Sequence, residues 1–265
     1  SMFLSSENKS YSIMSESYLE GKFFNTVIKA GRQIIETPYA NSDDIGMIPN
    51  SFEGFKIVNS DISDTEIIVL SLNKWSGVDS PKPEKFNKIQ DNGDAINSIG
   101  IIYTGIKDIS LQGWNYDLSD ENFEYYEVGY EGEKFDIALQ YTRQGTDNTA
   151  SGIAGDTEIG NLSLNIAYNS VDGTVSNGFG GGPFFTSGED HTVDGTENQK
   201  ATLNGAEYSF QNFTAGVTSI SFDKGEDEMD YILSYTQNDK LTFDFILADM
   251  NDDGKLTRFF INYNF

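Results

Sequence analysis

The stretch LTRFFINYNF, residues 256–265, decides how the chain is read. Thr257, Phe259, Ile261, Tyr263 and Phe265 share one parity; Leu256, Arg258, Phe260, Asn262 and Asn264 share the other. Side chains along a strand point alternately to opposite faces, so this segment has one apolar face and one face carrying polar groups. The pattern recurs upstream. Leu241, Phe243, Phe245 and Leu247 oppose Thr242, Asp244, Ile246 and Ala248, and Met229, Tyr231, Leu233 and Tyr235 oppose Asp230, Ile232, Ser234 and Thr236. Leu162, Leu164, Ile166 and Tyr168 oppose Ser163, Asn165, Ala167 and Asn169, and Phe135, Ile137, Leu139 and Tyr141 oppose Asp136, Ala138, Gln140 and Thr142.

Soluble sandwiches use strands of roughly five or six residues. Alternation over about ten residues, with the larger apolar groups on one side, matches a strand of a transmembrane barrel. A bilayer accepts only structures that satisfy every backbone group internally, and a closed sheet does so without helices. The expected fold class is all-β, an antiparallel transmembrane β-barrel.

Composition narrows the function classes. The 265 residues hold 42 acidic and 17 basic side chains, a formal charge of −25, with Arg32, Arg143 and Arg258 as the arginines. Duplex nucleic acid and anionic lipid surfaces are poor partners for such a chain, because binding them needs a basic patch. The lack of cysteine removes disulfides and thiolate chemistry, and a single histidine, His191, removes His-rich metal centres. Aromatic residues make up 13% of the chain, too many for an acidic disordered segment. No Gly-x-Ser-x-Gly elbow or Walker loop is present, so no enzymatic activity is expected.

Connection lengths carry a second signal. Going backwards, residues 249–255 form a medium loop, 238–239 a tight turn, 223–228 a longer loop, and the turn at Asn212 is tight. A long insert is expected at 178–201, a short turn at 172–173 and a long loop at 145–157. Further upstream come tight 131–133, medium 118–122, a turn at Lys107, long 76–94, short 61–64, long 35–51 and tight 20–22. Alternation of short turns with long loops is the asymmetry of bacterial outer-membrane barrels. It gives about fifteen strands. Bacterial single-chain barrels have an even number, so residues 1–265 are expected to be one barrel domain forming the C-terminal portion of a longer chain of about 16–18 strands.

The ending Arg258 to Phe265 resembles the signal that outer-membrane barrels present to their insertion machinery, with an aromatic last residue. GRQIIETPYANSDDIGMIPNSFEG (31–54) resembles the strand-to-loop element of OprD-like porins. KWSGVDSPKPEKF (74–86) and GFGGGPFFTSGE (178–189) are similar to a campylobacterial and marine branch of that family. The resemblance implies an integral protein of the Gram-negative outer membrane, a passive porin for small hydrophilic solutes or ions, without a cofactor. Its implied partners are membrane lipid, lipopolysaccharide, the insertion machinery through Phe265 and small solutes, with a homotrimer as one assembly. It also implies about eighteen strands, of which roughly three would precede this sequence. The family commonly has Arg where this chain has Gly46, after Asp43-Asp44-Ile45, which removes a basic eyelet residue.

Inward-folded loops narrow porins, and their charges set selectivity. Loop 35–51 offers Asp43 and Asp44, stiffened by Pro38 and Pro49; insert 178–201 offers Phe184, Phe185 and Glu189. Arg258, of opposite parity to Phe265, falls on the polar face. Arg32 has the parity of the apolar Phe24, Thr26, Ile28 and Ala30 but sits at a strand end, as a rim residue or one re-aimed by a bulge. In the family the matching Arg joins a basic ladder for carboxylates, which here only Arg258, Arg32 and Lys29 continue. The acidic balance points instead to cations.

Asp249, Asn251 and Asp253 before Gly254 have the spacing of a calcium loop, but the twelfth position is Phe260 where a Glu is needed. An acidic hairpin loop is the simpler reading. The competing function is a secreted or surface acidic β-domain for binding or adhesion, with calcium in that loop.

Overall fold

The computed structural model describes residues 4–43 and 48–264. Sixteen strands lie among them and no α-helix does. They are β1 (Ser17–Phe23), β2 (Thr26–Gln33), β3 (Ser51–Asn59), β4 (Thr65–Ser76), the two-residue β5 (Asn87–Lys88), β6 (Ile96–Ile106), β7 (Ile109–Asp117) and β8 (Asn122–Glu131). There follow β9 (Phe135–Gln144), β10 (Asn148–Ile159), β11 (Leu162–Asp172), β12 (Lys200–Phe210), β13 (Phe213–Phe222), β14 (Glu228–Asn238), β15 (Leu241–Asp249) and β16 (Lys255–Tyr263). Each long strand pairs with its sequence neighbour, and β5 pairs only with β4. The fold class is all-β and antiparallel; the fifteen long strands equal the number that the connections indicate, but the sets differ by one, since 148–159 is a strand and 174–177 is not.

Two boundaries differ from the sequence reading. Residues 148–159 form a strand, so the expected long loop at 145–157 shrinks to a tight turn around Gly145, and the insert opens at 173. Ala150, Gly152, Ala154 and Gly155 are small, so β10 alternates without a large apolar contrast and escapes a hydrophobicity pattern. Near the start, the tight turn falls at Phe24-Asn25 instead of 20–22, with Phe24 at φ 52°.

The chain divides into two compact units. The first comprises Ser1–Val128, Gln140–Thr149 and Ser176–Pro183; the second comprises Gly129–Leu139, Ala150–Val175 and Phe184–Phe265.

In the second unit the register fixes the two faces. Phe245 opposes Phe259 and Phe243 opposes Ile261 on one face, while Ile246 opposes Arg258 and Ala248 opposes Leu256 on the other. Phe245, Phe259, Ile261, Tyr231 and Leu233 are exposed; Ala248, Asp230 and Arg258 are buried. A row of exposed large apolar side chains facing away from the buried groups is a surface built for lipid. Near the tight turns, the rings of Phe213, Tyr235 and Phe243 lie in sequence, 4.7 and 6.3 Å apart, like an interfacial aromatic girdle. The covered face holds Ala167, Leu203 and Ile220 as one cluster, with Val171, Val175, Phe184, Val193 and Ala201 as another.

In the first unit the covered face is aromatic. Gln33 opposes Phe52 and Phe52 opposes Trp75, with the two rings stacked at 6.2 Å. Trp114 stacks on Tyr116 at 6.0 Å, and Gly100 makes room for the Trp114 ring, which a Cβ there would meet at 2.2 Å. Ile99, Ile101 and Val69 are exposed on the opposite face.

Candidate functional site

In the first unit, residues 34–43 of the connection between β2 and β3 are packed onto the covered face, with Ile35, Tyr39 and Ala40 buried. Its centre is a short turn in which Thr37 N–H donates to Ala40 O at 2.9 Å and Thr37 Oγ1 donates to the same oxygen at 3.0 Å. The turn presents Tyr39, 1% exposed, to rings of β7 and β8: Phe123 at 5.0 Å and Tyr116 at 5.5 Å. Its backbone N–H donates to the Tyr116 hydroxyl at 3.4 Å. The Tyr39 hydroxyl meets Thr142 Oγ1 and accepts from Gln144 Nε2 at 3.1 Å. Burial pushes that hydroxyl up to about 12, so it stays neutral.

The segment 176–183, from the connection between β11 and β12, lies against this turn. Phe179 N–H donates to Tyr39 O at 2.9 Å, Asn41 N–H donates to Phe179 O at 3.2 Å, and Gly181 N–H donates to Asn41 Oδ1 at 3.0 Å. Two glutamines of β9 clamp its backbone. Gln144 both accepts from Ser176 N–H and donates to Ser176 O, each at 2.7 Å, and Gln140 donates to Pro183 O at 2.8 Å. Gly178, at φ 83°, is where the two loops come nearest: a Cβ would sit 2.7 Å from Tyr39 O.

In the second unit, residues 184–199 are anchored by different chemistry. Phe184 is buried beside Val175 and Val193. Thr186 donates through both N–H and Oγ1 to Asn169 Oδ1 on β11, at 3.1 and 3.0 Å. A tight turn follows, Gly188 N–H donating to His191 O at 2.8 Å. Its amides meet carboxylates at the start of β14. Asp190 and His191 N–H donate to the two Glu228 oxygens at 2.9 and 2.6 Å, and Glu189 N–H donates to Asp230 Oδ2 at 3.2 Å. Arg258 of β16 pairs with the Glu189 carboxylate and donates to Glu189 O at 3.1 Å. Burial raises the Glu189 carboxyl above its ordinary range, with Arg258 pulling the other way and Glu228 adding to the rise.

The residues singled out from sequence divide accordingly. Glu189 and Arg258 come together, and Phe184 and Phe185 are apolar anchors, Phe185 against the Ala167–Leu203–Ile220 cluster. Arg32 lies elsewhere: Nε donates to Glu53 Oε2 at 3.1 Å, the guanidinium lies 4.3 Å over Phe86, and its parity is opposite to buried Gln33. Asp43 is half-buried, its N–H donating to Asn41 Oδ1 at 3.1 Å; Asp44, Gly46 and Phe265 lie outside the described residues. The Asp249 carboxylate is ion-paired with Lys255, Asn251 Nδ2 donates to Asp227 O at 3.3 Å, and Asp253 ends the 3₁₀ turn Asn251–Asp253. Among the described residues no group of three metal-ligating side chains converges.

Tyr39, Gln140, Gln144, Asn169, Glu228 and Asp230 went unrecognised as site residues in the sequence. Polar groups of one parity near the long-loop ends of strands were the available signal.

Away from these anchors, wall charge differs between the units. In the second, a cavity of about 420 Å³ is lined by Asp136, Asp156, Glu158 and Glu207, with Lys134 beside them. In the first, Lys29 lies directly across from Lys56 on the covered face, with Lys29 Nζ 3.4 Å from Glu20.

A family model described as "outer membrane porin, OprD family" matches residues 5–182. A search of curated proteins finds no match. Several solved porin structures share the fold. OccK8 (OprE) of Pseudomonas aeruginosa aligns at TM-score 0.78 and 16% identity, covering 92% of this chain and 78% of that one. OccAB4 of Acinetobacter baumannii aligns at 0.76 and 18%, covering 93% and 73%. A BenF-like porin from Pseudomonas fluorescens Pf-5 aligns at 0.77 and 14%, covering 93% and 77%.

Proposed function

Since the chain belongs to the OprD family of outer membrane porins, a channel for small solutes, we propose that two inward loops narrow its lumen and that its wall favours cations. The observation that carries the constriction is the way both long connections are tied onto the covered faces of the strands: the β2–β3 connection by Tyr39 against Tyr116, Phe123 and Gln144, and the β11–β12 connection by Gln140 and Gln144 in one unit and by Asn169 and Glu228 in the other. Loops held at the surface against lipopolysaccharide would have no use for buried polar groups on the wall. Cation preference is supported by the carboxylates Asp136, Asp156, Glu158 and Glu207 around one cavity, together with the neutralisation of Arg258 by Glu189.

No cofactor takes part. A calcium ion at Asp249, Asn251 and Asp253 would have to displace Lys255 from Asp249. Lipid and lipopolysaccharide pack on the exposed aromatic and aliphatic face; recognition of Phe265 by the insertion machinery and a homotrimer belong to the same reading. The test is planar-bilayer recording of detergent-refolded protein. Discrete conductance steps that fall with uncharged polymers small enough to enter, and not with larger ones, are expected; a protein that stays soluble without detergent and gives no steps would overturn the channel.

A further inference from the structure

Glu228 opens β14 on its covered face. Its side chain is fully buried, and its two oxygens accept from consecutive backbone amides of a loop, at 2.9 and 2.6 Å, with His191 Nδ1 3.9 Å away. A carboxylate taken out of water needs partners that favour its charged form, and here the loop supplies them. Asp230, two residues on and on the same face, takes the preceding amide at 3.2 Å. Arg258, 3% exposed, takes the carboxylate and carbonyl of the same Glu189. Three successive loop residues are thus gripped by three wall side chains on two strands.

The grip is also incomplete. The Asp230 carboxyl lies against that of Glu228, and Arg258 Nε is buried without a hydrogen-bond partner among the described residues. A partly satisfied polar network holds less firmly than a saturated one. Gly188 completes the fit, since a Cβ there would lie 2.7 Å from Glu228 Cδ.

We propose that Glu228 and Asp230 form a releasable latch that seats residues 188–191 on the wall and, by holding Glu189 over Arg258, keeps that arginine silent in ion selection. This rests on the reading of the insert as a constriction. Glu228 is a positioning residue: it acts on permeating ions through the loop. Release lifts Glu189 away and gives the wall an unpaired cation, so loop mobility and charge preference change together.

The test uses the full chain in planar bilayers. Glu228→Gln keeps the shape and one acceptor but loses the charge; it is expected to raise open-channel noise several-fold and to move the reversal potential in a KCl gradient towards the anion value. The pair Gly188→Cys/Glu228→Cys locks the loop without any carboxylate. The parent chain has no cysteine, and a Cβ at position 188 would lie 2.7 Å from Glu228 Cδ, so the two side chains meet. Oxidised, this variant is expected to be as quiet as the parent; reduced, it should become noisy, and dithiothreitol should leave the parent unchanged. Quiet channels with parental selectivity from both Glu228→Gln and the reduced pair would overturn the latch. A third variant, shortened between Phe184 and Val193, separates the two ideas. Raised conductance with silent latch variants rejects the latch alone, whereas unchanged conductance rejects the constriction as well.

Discussion

The two units hold their loops by opposite means. In the first, Tyr39 is inserted among Tyr116, Phe123 and Tyr125, and neutral amides of Gln140 and Gln144 fasten the backbone. In the second, one turn is fastened by ionisable groups, Glu228, Asp230 and the Glu189–Arg258 pair. Aromatic burial and neutral hydrogen bonds respond little to pH and salt, whereas carboxylate anchors depend on ionisation. Residues 34–43 and 176–183 are therefore the fixed attachments and residues 188–191 the adjustable one.

The largest expected effect is on the fixed side. Tyr39→Ala removes a buried ring from an aromatic cluster and should cost about 3–5 kcal/mol, read as an earlier thermal transition in detergent. Tyr39→Phe keeps the ring and should cost about 1 kcal/mol. Equal losses from both would place the anchoring in the hydroxyl and break the contrast between the units. Next comes Gln144→Leu, which strands the N–H and C=O of Ser176. A loss of about 1–3 kcal/mol in urea denaturation is expected, unchanged between neutral and mildly acidic buffer.

The smallest effect sharpens the adjustable side. The Glu189 carboxyl has a folded-state pKa raised above its ordinary 4.5 by burial. Its stabilising contribution is present below that ordinary value and is lost as pH rises through the raised one. The parent protein should lose more stability across that window than Glu189→Gln does, as followed by thermal melts at stepped pH. Parallel pH profiles for the two proteins would remove Glu189 as the titrating group.

Much of the architecture was legible because a strand wet on one side writes its two faces directly into alternate residues. The parities of β14, β15 and β16 in the register are those read from Met229 to Tyr263. β10 escaped because Ala150, Gly152 and Ala154 give alternation no contrast, and the Phe24-Asn25 turn escaped because a positive-φ Phe has no turn signature. Site residues were harder. Glu189 and Arg258 declared themselves by loop position and parity, but their pairing spans 69 positions and needs the fold. Glu228 reads as the end of an acidic loop, and only the backbone geometry of residues 189–191 shows it to be an anchor. Arg32 carried a family motif, yet Glu53 and Phe86 hold it.

The charge consequence of the comparison can be measured in one experiment, the reversal potential of the refolded channel in a KCl gradient. With Lys29 and Lys56 in one unit outweighed by Asp136, Asp156, Glu158 and Glu207 in the other, and Arg258 neutralised, the potential should lie towards that of potassium. A potential towards that of chloride would contradict the account, because the lysine pair would then govern the lumen and the acidic wall would be a bystander.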